Sequence, residues 1–354
     1  IRTNPILVKN TFLKVCGFSI ENPDSETQLA KRKQVASDSL SLSYSEPIHM
    51  ASAAFQYMFD TSGNTYLDAY NNIPHVGLCH PEIAKVISKK VRTLNTNTRY
   101  LYNEYTSYSE KLLAKFPEQL NKLLLVNSGS AASDLAIRMA KTITERSFIA
   151  VLEHGYHGNT MLGIDASSYK FDGKGGKGKP ENVIKLPLPK EYRGAHSTGK
   201  AYALEAISIL EKHIALGEKP AAFLAEPISG CGGQVPLTKD YLAELKPFLE
   251  KHGIFLIIDE VQTGFGRLGS HFWGFELHRI IPDLVILGKP MGNGHPIGGV
   301  ITRADLSAQF DTGMEFFSSF GGNPISCAIG EKVLDIIKAD SLQENALEVG
   351  NYWR

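Results

Sequence analysis

The sequence has 354 residues, of which 43% are hydrophobic, so the chain can bury one large core or two smaller ones. Lysine plus arginine and aspartate plus glutamate number 37 each, and this balance argues against nucleic-acid or acidic-membrane partners. No run of residues reaches the roughly 18 apolar positions of a membrane-spanning helix. The four cysteines are widely separated and form no CxxC pair, which predicts a reducing, cytoplasmic location without a disulfide framework or zinc ribbon.

The first hundred residues predict small elements of secondary structure. Residues 1–50 are polar, and we expect one short helix there, over residues 25–35. The stretch YMFDTSGNTYLDAY (57–70) predicts two short strands joined by a Ser-Gly-Asn turn. Apolar residues at helical spacing predict a helix over residues 81–94, and a second helix is predicted over residues 105–115.

From residue 122 onward, continuous apolar runs alternate with helical patterns. The runs are KLLLV (122–126), FIAVL (148–152), AAFLAEP (221–227), IFLIID (254–259), LVILG (284–288) and the shorter GVITR (299–303). Helices are predicted over residues 130–141, 200–214, 239–251 and 323–338. This alternation is typical of an α/β fold in which a mainly parallel sheet is covered by helices on both faces.

One stretch, DGKGGKGKPENV (172–183), interrupts this alternation. Residues 173–179 satisfy most of the phosphate-loop pattern GxxxxGK, but Pro180 stands where a Ser or Thr would bind Mg²⁺. No buried strand is predicted to lead into the stretch. We therefore interpret it as a solvated, basic loop.

Two of the apolar runs are followed by groups that suit a flat anionic ligand. In sheets of this kind, ligands bind beyond the carboxyl ends of the strands. NSGS (127–130) follows the first run at a helix start, where free amide groups favour an anion, although an ordinary helix cap is the alternative. Tyr156 and His157 follow the second run; Tyr156 suits stacking on a ring or plain packing. A metal site at His154 and His157 is poorly supported, because no third ligand is in view.

Two charged residues follow the later runs, and each has a structural alternative. Asp259 ends a buried run, where a carboxylate is costly without a partner, so it serves either a salt bridge or a cationic ligand atom. Lys289 stands alone after LVILG, as a surface lysine or as an amine nucleophile toward a carbonyl. An anion site, a ring stacker, a carboxylate and a lone lysine together match pyridoxal phosphate, which has a phosphate, a pyridinium ring and an aldehyde.

Six motifs in the expected order carry a resemblance to the class III aminotransferase family, of the fold type I pyridoxal-phosphate enzymes. They are NSGS (127–130), YHG (156–158), AEP (225–227), DEVQTGFGR (259–267), GK (288–289) and FGGNP (320–324), within residues 57–337. The resemblance implies a three-layer α/β/α large domain with a mostly parallel seven-stranded sheet, plus a smaller α+β domain built from the N- and C-terminal segments. We expect residues 1–80 to form an N-terminal arm and small-domain segment, 81–308 the large domain, and 309–354 the start of an incomplete small C-terminal domain.

The resemblance also implies roles for the matching residues. Lys289 would be the Schiff-base lysine and proton shuttle, Asp259 would hold the pyridine nitrogen protonated, and Gln262 would hydrogen-bond the ring's 3′ oxygen. Gly129 and Ser130 would bind the phosphate and Tyr156 would stack on the ring. The remaining cofactor-binding residues that we expect are Ser128, His157, Glu226 near the substrate side, and Ser319. Because Ser319 would reach the phosphate of a neighbouring subunit, the family implies a homodimer with shared active sites.

Three stretches resemble the phospho-lyase branch of the family: YNNIPHVGLCHP (70–81), LNTNTRYL (94–101) and GKPMGNGHP (288–296). The leading expectation is an aminotransferase that moves an amino group from an amine or amino acid to a keto acid. The alternative is a phospho-lyase that eliminates phosphate from a phosphorylated amino alcohol such as phosphoethanolamine. A third possibility, a non-catalytic scaffold module of a multidomain protein, is opposed by the intact Lys289 and Asp259.

Overall fold

The computed structural model describes residues 24–354 and divides them into two compact units. The first unit contains residues 24–71 and Gly77–His80, and the second contains Asn72–Val76 and Pro81–Arg354. No helix within residues 24–354 is both long enough and apolar enough to span a bilayer.

The first unit holds a helix and a small antiparallel sheet. Helix α1 (Ser25–Val35) confirms the predicted short helix, and its N-terminus is capped by the Asp24 carboxylate, which accepts the Thr27 amide at 2.7 Å. Strands β1 (Met50–Ala54), β2 (Tyr57–Asp60) and β3 (Thr65–Leu67) form the sheet in that order. The predicted hairpin is therefore confirmed.

The second unit opens with helices α2 (Pro81–Lys90) and α3 (Asn103–Leu113). The prediction that α2 continues to residue 94 is wrong. The amide and the hydroxyl of Thr93 both bond to the Lys90 carbonyl, at 3.0 and 3.1 Å. A side-chain hydroxyl that bonds to the backbone in this way competes with regular helix geometry, and the chain turns there.

A seven-stranded sheet lies in the second unit, as the family resemblance implied. Its strands are β4 (Lys122–Val126), β5 (Ile149–Leu152), β6 (Val183–Leu186), β7 (Ala222–Ala225), β10 (Phe255–Asp259), β11 (Leu284–Leu287) and β12 (Gly298–Thr302). Their spatial order is β4-β12-β11-β10-β7-β5-β6. Strand β12 runs antiparallel to both of its neighbours, so β4 has the same direction as the other five. Two short strands, β8 (Ile228–Ser229) and β9 (Val235–Pro236), form a separate ribbon.

Helices cover both faces of this sheet. They are α4 (Gly129–Thr144), α5 (Met161–Asp165), α6 (Ser168–Phe171), α7 (Gly199–Ala215), α8 (Tyr241–Lys251), α9 (Ala304–Phe310), α10 (Pro324–Ala339) and α11 (Leu342–Trp353). The core has two clusters, one with α7, α8 and α10 and one with α4 and α9. Leu256 and Ile258 point into the first cluster and Ile257 into the second, as alternation along a strand requires. The sheet therefore lies between two layers of helices, which is the three-layer α/β/α arrangement.

Strand β6 was not predicted from the sequence. It has only four residues, and one of them is Lys185, whose amine pairs with the Asp172 carboxylate at 2.7 Å. The glycine-rich loop before it, residues 172–179, is exposed throughout, which confirms the solvated-loop interpretation. Residues 309–354 lie in the second unit, where α10 packs on α2 and α3. The proposed start of a further small domain at residue 309 stays a prediction.

Candidate active site

The predicted site residues, with the exception of Ser319, follow the carboxyl ends of parallel strands. NSGS (127–130) follows β4, Tyr156 and His157 follow β5, and Glu226 follows β7; Asp259 is the last residue of β10, and the turn carrying Lys289 follows β11. Because these strands share one direction in one sheet, their carboxyl ends lie at the same edge. The topology therefore brings together groups that are far apart in the sequence.

The N-terminus of α4 provides an anion-binding end. Ser128 is the cap, and its hydroxyl accepts the Ala131 amide at 3.1 Å. Ser130 accepts the Asn159 amide at 3.1 Å, which ties the helix start to the loop after β5. The first amide groups of a helix have no acceptor within it, and the helix dipole adds a partial positive charge. This end suits a phosphate group.

Glycines allow the site's turns to pack against one another without side chains between them. A Cβ on Gly288 would lie 2.9 Å from the Gly129 Cα atom, closer than real side chains approach. A Cβ on Gly158, where φ is 113°, would lie 2.8 Å from the Ser130 Cα atom. The turn that carries Lys289 therefore touches the anion-binding end of α4.

Lys289 is half-buried at the start of a four-residue 3₁₀ helix. Burial lowers the pKa of its amine, whereas the negative charges of Asp259, Cys231 and Glu226 oppose that shift and Arg267 reinforces it. A lowered pKa increases the fraction of neutral amine, which is the form that attacks carbonyls and accepts protons. The lowered pKa thus favours the two roles that the sequence analysis predicts for Lys289.

Asp259 and His157 form a buried pair beneath this turn. The Asp259 residue is 3% exposed, its Oδ2 atom lies 2.9 Å from the His157 Nδ1 atom, and its Oδ1 atom accepts the Val261 amide at 3.1 Å. A carboxylate has about four acceptor positions, so Asp259 retains capacity for another donor, such as a ring N–H. The His157 Nε2 atom is buried and has no hydrogen-bond partner among residues 24–354. Both features fit a site that receives a polar ring.

Glu226 ties two loops of the site together. Its carboxylate accepts the Tyr156 amide at 3.1 Å and the Gly230 amide at 3.2 Å, and the residue is only 4% exposed. Burial raises its pKa to about 7; a positive charge on His157 opposes that shift and the Asp259 charge adds to it. Burial therefore favours the protonated form of Glu226 more than it would in an exposed glutamate.

Gln262 and Tyr156 lie at the same edge, with partners that the sequence did not reveal. The Gln262 Oε1 atom accepts the side-chain amide of Asn72 at 2.6 Å. The ring of Tyr156 is half-buried and meets Tyr169 edge to face, with 6.2 Å between ring centroids. The amine of Lys170 lies 5.6 Å from the Tyr156 centroid. Asn72 lies in the stretch 70–81 that resembles the phospho-lyase branch, but it was not assigned to the site, and Lys170 belongs to none of the quoted motifs.

Ser319 is exposed and does not itself follow a strand of the sheet; it lines a cavity of about 540 Å³ that Asn127, the residue after β4, also lines. Most of the other lining residues carry amide, hydroxyl or imidazole groups: Asn95, Thr96, Asn97, Asn127, His295 and Asn323. Its role toward a neighbouring subunit stays a prediction. Within the described part of the chain, no group of three His, Cys, Asp or Glu side chains could hold a metal ion.

Glu260, beside Asp259, is a buried acid that the sequence analysis left without a role. It is fully buried and accepts the Gly274 and Phe275 amides, each at 2.8 Å, and the Thr263 hydroxyl at 2.6 Å. Burial raises its pKa to about 7. These contacts hold the turn after β10 in place, which positions Asp259 and Gln262.

Known proteins resemble this chain along most of its length. Residues 43–354 match the family model of Aminotransferase class-III. A Drosophila melanogaster protein named alanine–glyoxylate aminotransferase 2-like is 40% identical over 339 residues, which cover 93% of this chain and 69% of that protein. A Caenorhabditis elegans protein named ethanolamine-phosphate phospho-lyase homolog 1 is 36% identical over 342 residues, covering 92% of this chain and 73% of that protein.

Solved structures give the same assignment. A phospholyase from Arthrobacter in complex with phosphoethanolamine superimposes with a TM-score of 0.86 and 34% identity, covering 92% of this chain and 77% of that one. An omega-transaminase from Thermomicrobium roseum gives a TM-score of 0.84 and 27% identity, covering 94% and 79%. An amine transaminase from an uncultivated Pseudomonas species, in its PLP-bound form, superimposes with a TM-score of 0.80 and 26% identity. The match covers 88% of this chain and 76% of that one. The chain therefore belongs to the class III aminotransferase family and is a pyridoxal 5′-phosphate enzyme, either an aminotransferase or a phospho-lyase.

Proposed function

We propose that this enzyme eliminates phosphate from a phosphorylated amino alcohol, represented by phosphoethanolamine. One observation carries the proposal: the solved phospholyase that holds phosphoethanolamine is 34% identical to this chain, whereas the two solved transaminases described above are 27% and 26% identical. The C. elegans relative named as a phospho-lyase homolog, at 36% identity, supports the same substrate class.

The site residues supply the groups that such an elimination needs. When bound, pyridoxal phosphate supplies an aldehyde that takes up the substrate amine and a ring that withdraws electrons. Lys289 accepts the proton from the carbon that bears the nitrogen, and Asp259 keeps the ring nitrogen protonated. The electron pair of the broken C–H bond forms a carbon–carbon double bond as the C–O bond breaks and phosphate leaves with its electrons. Water then completes the release, so phosphoethanolamine and water give acetaldehyde, ammonia and phosphate.

Lys170 is a candidate for holding the substrate phosphate. It is exposed, lies 5.6 Å from the Tyr156 ring centroid and forms no ion pair within the part of the chain that the structure describes. Burial raises the pKa of the Cys231 thiol, while the positive charges of Lys289 and Lys170 oppose that shift. Both cations therefore lie within electrostatic reach of the exposed Cys231 thiol. A phosphate ester bound near Lys289 would meet Lys170 as its counter-ion.

Changing Lys170 to Gln is expected to raise the KM for phosphoethanolamine about 3- to 10-fold with little change in kcat, because one exposed charge-assisted contact is lost. The measurement is steady-state phosphate release by the holoenzyme. Lys174→Gln, which removes the same charge from the exposed loop nearby, is the matched control and should leave the KM unchanged. Equal effects of the two substitutions would point to the general charge of the loop and contradict a specific contact.

The experiment that tests the proposed reaction is turnover of phosphoethanolamine in the absence of any keto acid. We expect ammonia and phosphate to appear in equal amounts, and no product to form with Lys289→Ala. Transamination remains the second candidate, because the 40% identical Drosophila relative is named as an aminotransferase. Amino transfer that requires pyruvate or 2-oxoglutarate, without phosphate release, would establish that candidate and reject elimination.

We further propose a homodimer in a reducing compartment, the cytoplasm. The exposed position of Ser319 on a polar cavity supports a site completed by a second copy. Cys79, Cys231 and Cys327 are unpaired, as expected under reducing conditions. If the holoenzyme sedimented with the mass of one protomer, the homodimer proposal would be wrong. If the protein were recovered with secreted proteins, the cytoplasmic location would be wrong.

A further inference from the structure

A hydrogen bond between two amides orients the side chain of Gln262. The Asn72 Nδ2 group donates to the Gln262 Oε1 atom at 2.6 Å. This bond occupies the glutamine's carbonyl side and leaves its Nε2 group, with two N–H donors, for other partners. The Gln262 Nε2 atom and the Glu226 Oε1 atom each lie 3.3 Å from the point that a Cβ on Gly230 would occupy. The Gln262 Nε2 group therefore faces Gly230, on the side of the site where the Glu226 carboxylate also lies.

Asn72 is itself held in place by contacts to the turn after β10. Arg267 donates to the Asn72 carbonyl at 2.5 Å and to the His75 Nδ1 atom at 3.1 Å. Because a guanidinium group can only donate, the Nδ1 atom of His75 is an acceptor and its Nε2 atom carries the proton. That Nε2 atom donates to the Phe265 carbonyl at 2.7 Å. Burial, reinforced by the Arg267 charge, lowers the pKa of His75 to about 4, so the ring is neutral and this arrangement persists at neutral pH.

We propose that Asn72 is a positioning residue, which orients the Gln262 amide so that Gln262 donates an N–H group to the 3′ oxygen of the cofactor ring. The role of Gln262 itself rests on the family resemblance. The part played by Asn72 is new, and it follows from the hydrogen bond that Asn72 donates to the Gln262 carbonyl oxygen. It applies equally to phosphate elimination and to transamination, because it concerns cofactor binding before either reaction. Failure of the proposed elimination would therefore leave this inference intact.

Asn72→Asp tests the orientation, because an aspartate of the same shape can only accept hydrogen bonds when ionised. Gln262 must then turn its NH₂ group toward residue 72 and its carbonyl oxygen toward the ring oxygen. Losing a hydrogen bond to a charged oxygen changes a pKa by about one to two units. We therefore expect the pH midpoint of the cofactor's visible absorption change to rise by about one unit, because the ring oxygen loses a donor and holds its shared proton more tightly. The measurement is a spectrophotometric titration of the holoenzyme. The other titratable and charged groups that face this region are unchanged in the variant: Glu226, Asp259, His157, Lys289 and Arg267.

A negative charge at position 72 could also raise the midpoint by itself, and a double-substitution cycle separates the two causes. In a Gln262→Leu background, Asn72→Asp should shift the midpoint by much less, because no amide remains to be reversed. A shift of equal size in both backgrounds, or no shift in either, would overturn the proposal. Asn121→Asp adds the same charge at an exposed position outside the site and should leave the midpoint unchanged.

Affinity for the cofactor provides a second readout if a variant cannot be titrated. Binding of pyridoxal phosphate to the apo chains is followed by quenching of intrinsic fluorescence. Asn72→Leu and Gln262→Leu should each weaken binding, and the double variant should bind no more weakly than Gln262→Leu alone. Losses that add in the double variant would show that Asn72 acts independently of Gln262, and they would overturn the inference.

Discussion

Replacing Lys289 by alanine is expected to reduce turnover about 10⁴-fold or more, because we propose this residue both as the covalent anchor of the cofactor and as the group that carries the proton. Its half-buried amine has a lowered pKa, so it can act as a neutral base. Arg267, a second cation within electrostatic reach, cannot replace it because a guanidinium group does not release its proton at ordinary pH. Turnover is measured as product release by the holoenzyme, and the visible absorption of covalently bound cofactor should be lost as well.

Two comparisons make this result specific to the amine. Lys174→Gln, on the exposed loop, should retain full activity and full visible absorption. Circular dichroism of Lys289→Ala should match that of the unchanged protein, since the side chain contributes little to the buried core. Retention of more than about 1% of turnover by a correctly folded Lys289→Ala protein would contradict the assignment of the base.

Changing Asp259 to Asn is expected to reduce kcat about 10²- to 10³-fold while the cofactor still binds. The asparagine has the same shape and can keep the contacts to His157 and the Val261 amide. It cannot supply the negative charge that holds a ring nitrogen protonated, so the electron-withdrawing power of the ring falls. For the variant and the unchanged protein, kcat and the dissociation constant of the cofactor are both measured on the same preparations. We expect kcat to fall while the dissociation constant changes little.

The adjacent acid provides the control for this substitution. Glu260→Gln also neutralises a buried carboxylate, but Glu260 bonds to the backbone of residues 274 and 275 and not to the Asp259–His157 pair. We expect Glu260→Gln to reduce turnover much less than Asp259→Asn does, because it removes one accepted hydrogen bond from the turn after β10 but leaves the charge of Asp259 in place. If Asp259→Asn kept full turnover, the role of Asp259 toward the ring would be wrong.

The sequence alone determined the central strands of the fold and the residues at their ends. A strand buried on both faces appears as a continuous apolar run, so β4, β5, β7, β10, β11 and β12 were visible without tertiary information. The chemical groups after these runs stand out because a lysine or carboxylate beside a buried strand is costly without a function or partner. The shared direction of the strands then predicts that such groups meet at one edge.

Only the tertiary structure decided the contacts that make these groups work together. Strand β6 was not recognised locally because Lys185 interrupts its apolar run, and the Asp172 carboxylate that pairs with this lysine comes from the preceding loop. Asn72 and Gln262 are 190 positions apart, and no local pattern relates them. The raised pKa of Glu226 and the lowered pKa of Lys289 depend on burial among neighbours from several strands. Local patterns report which side of an element is buried, whereas pairing between distant side chains and the cost of desolvating them exist only once the chain has folded.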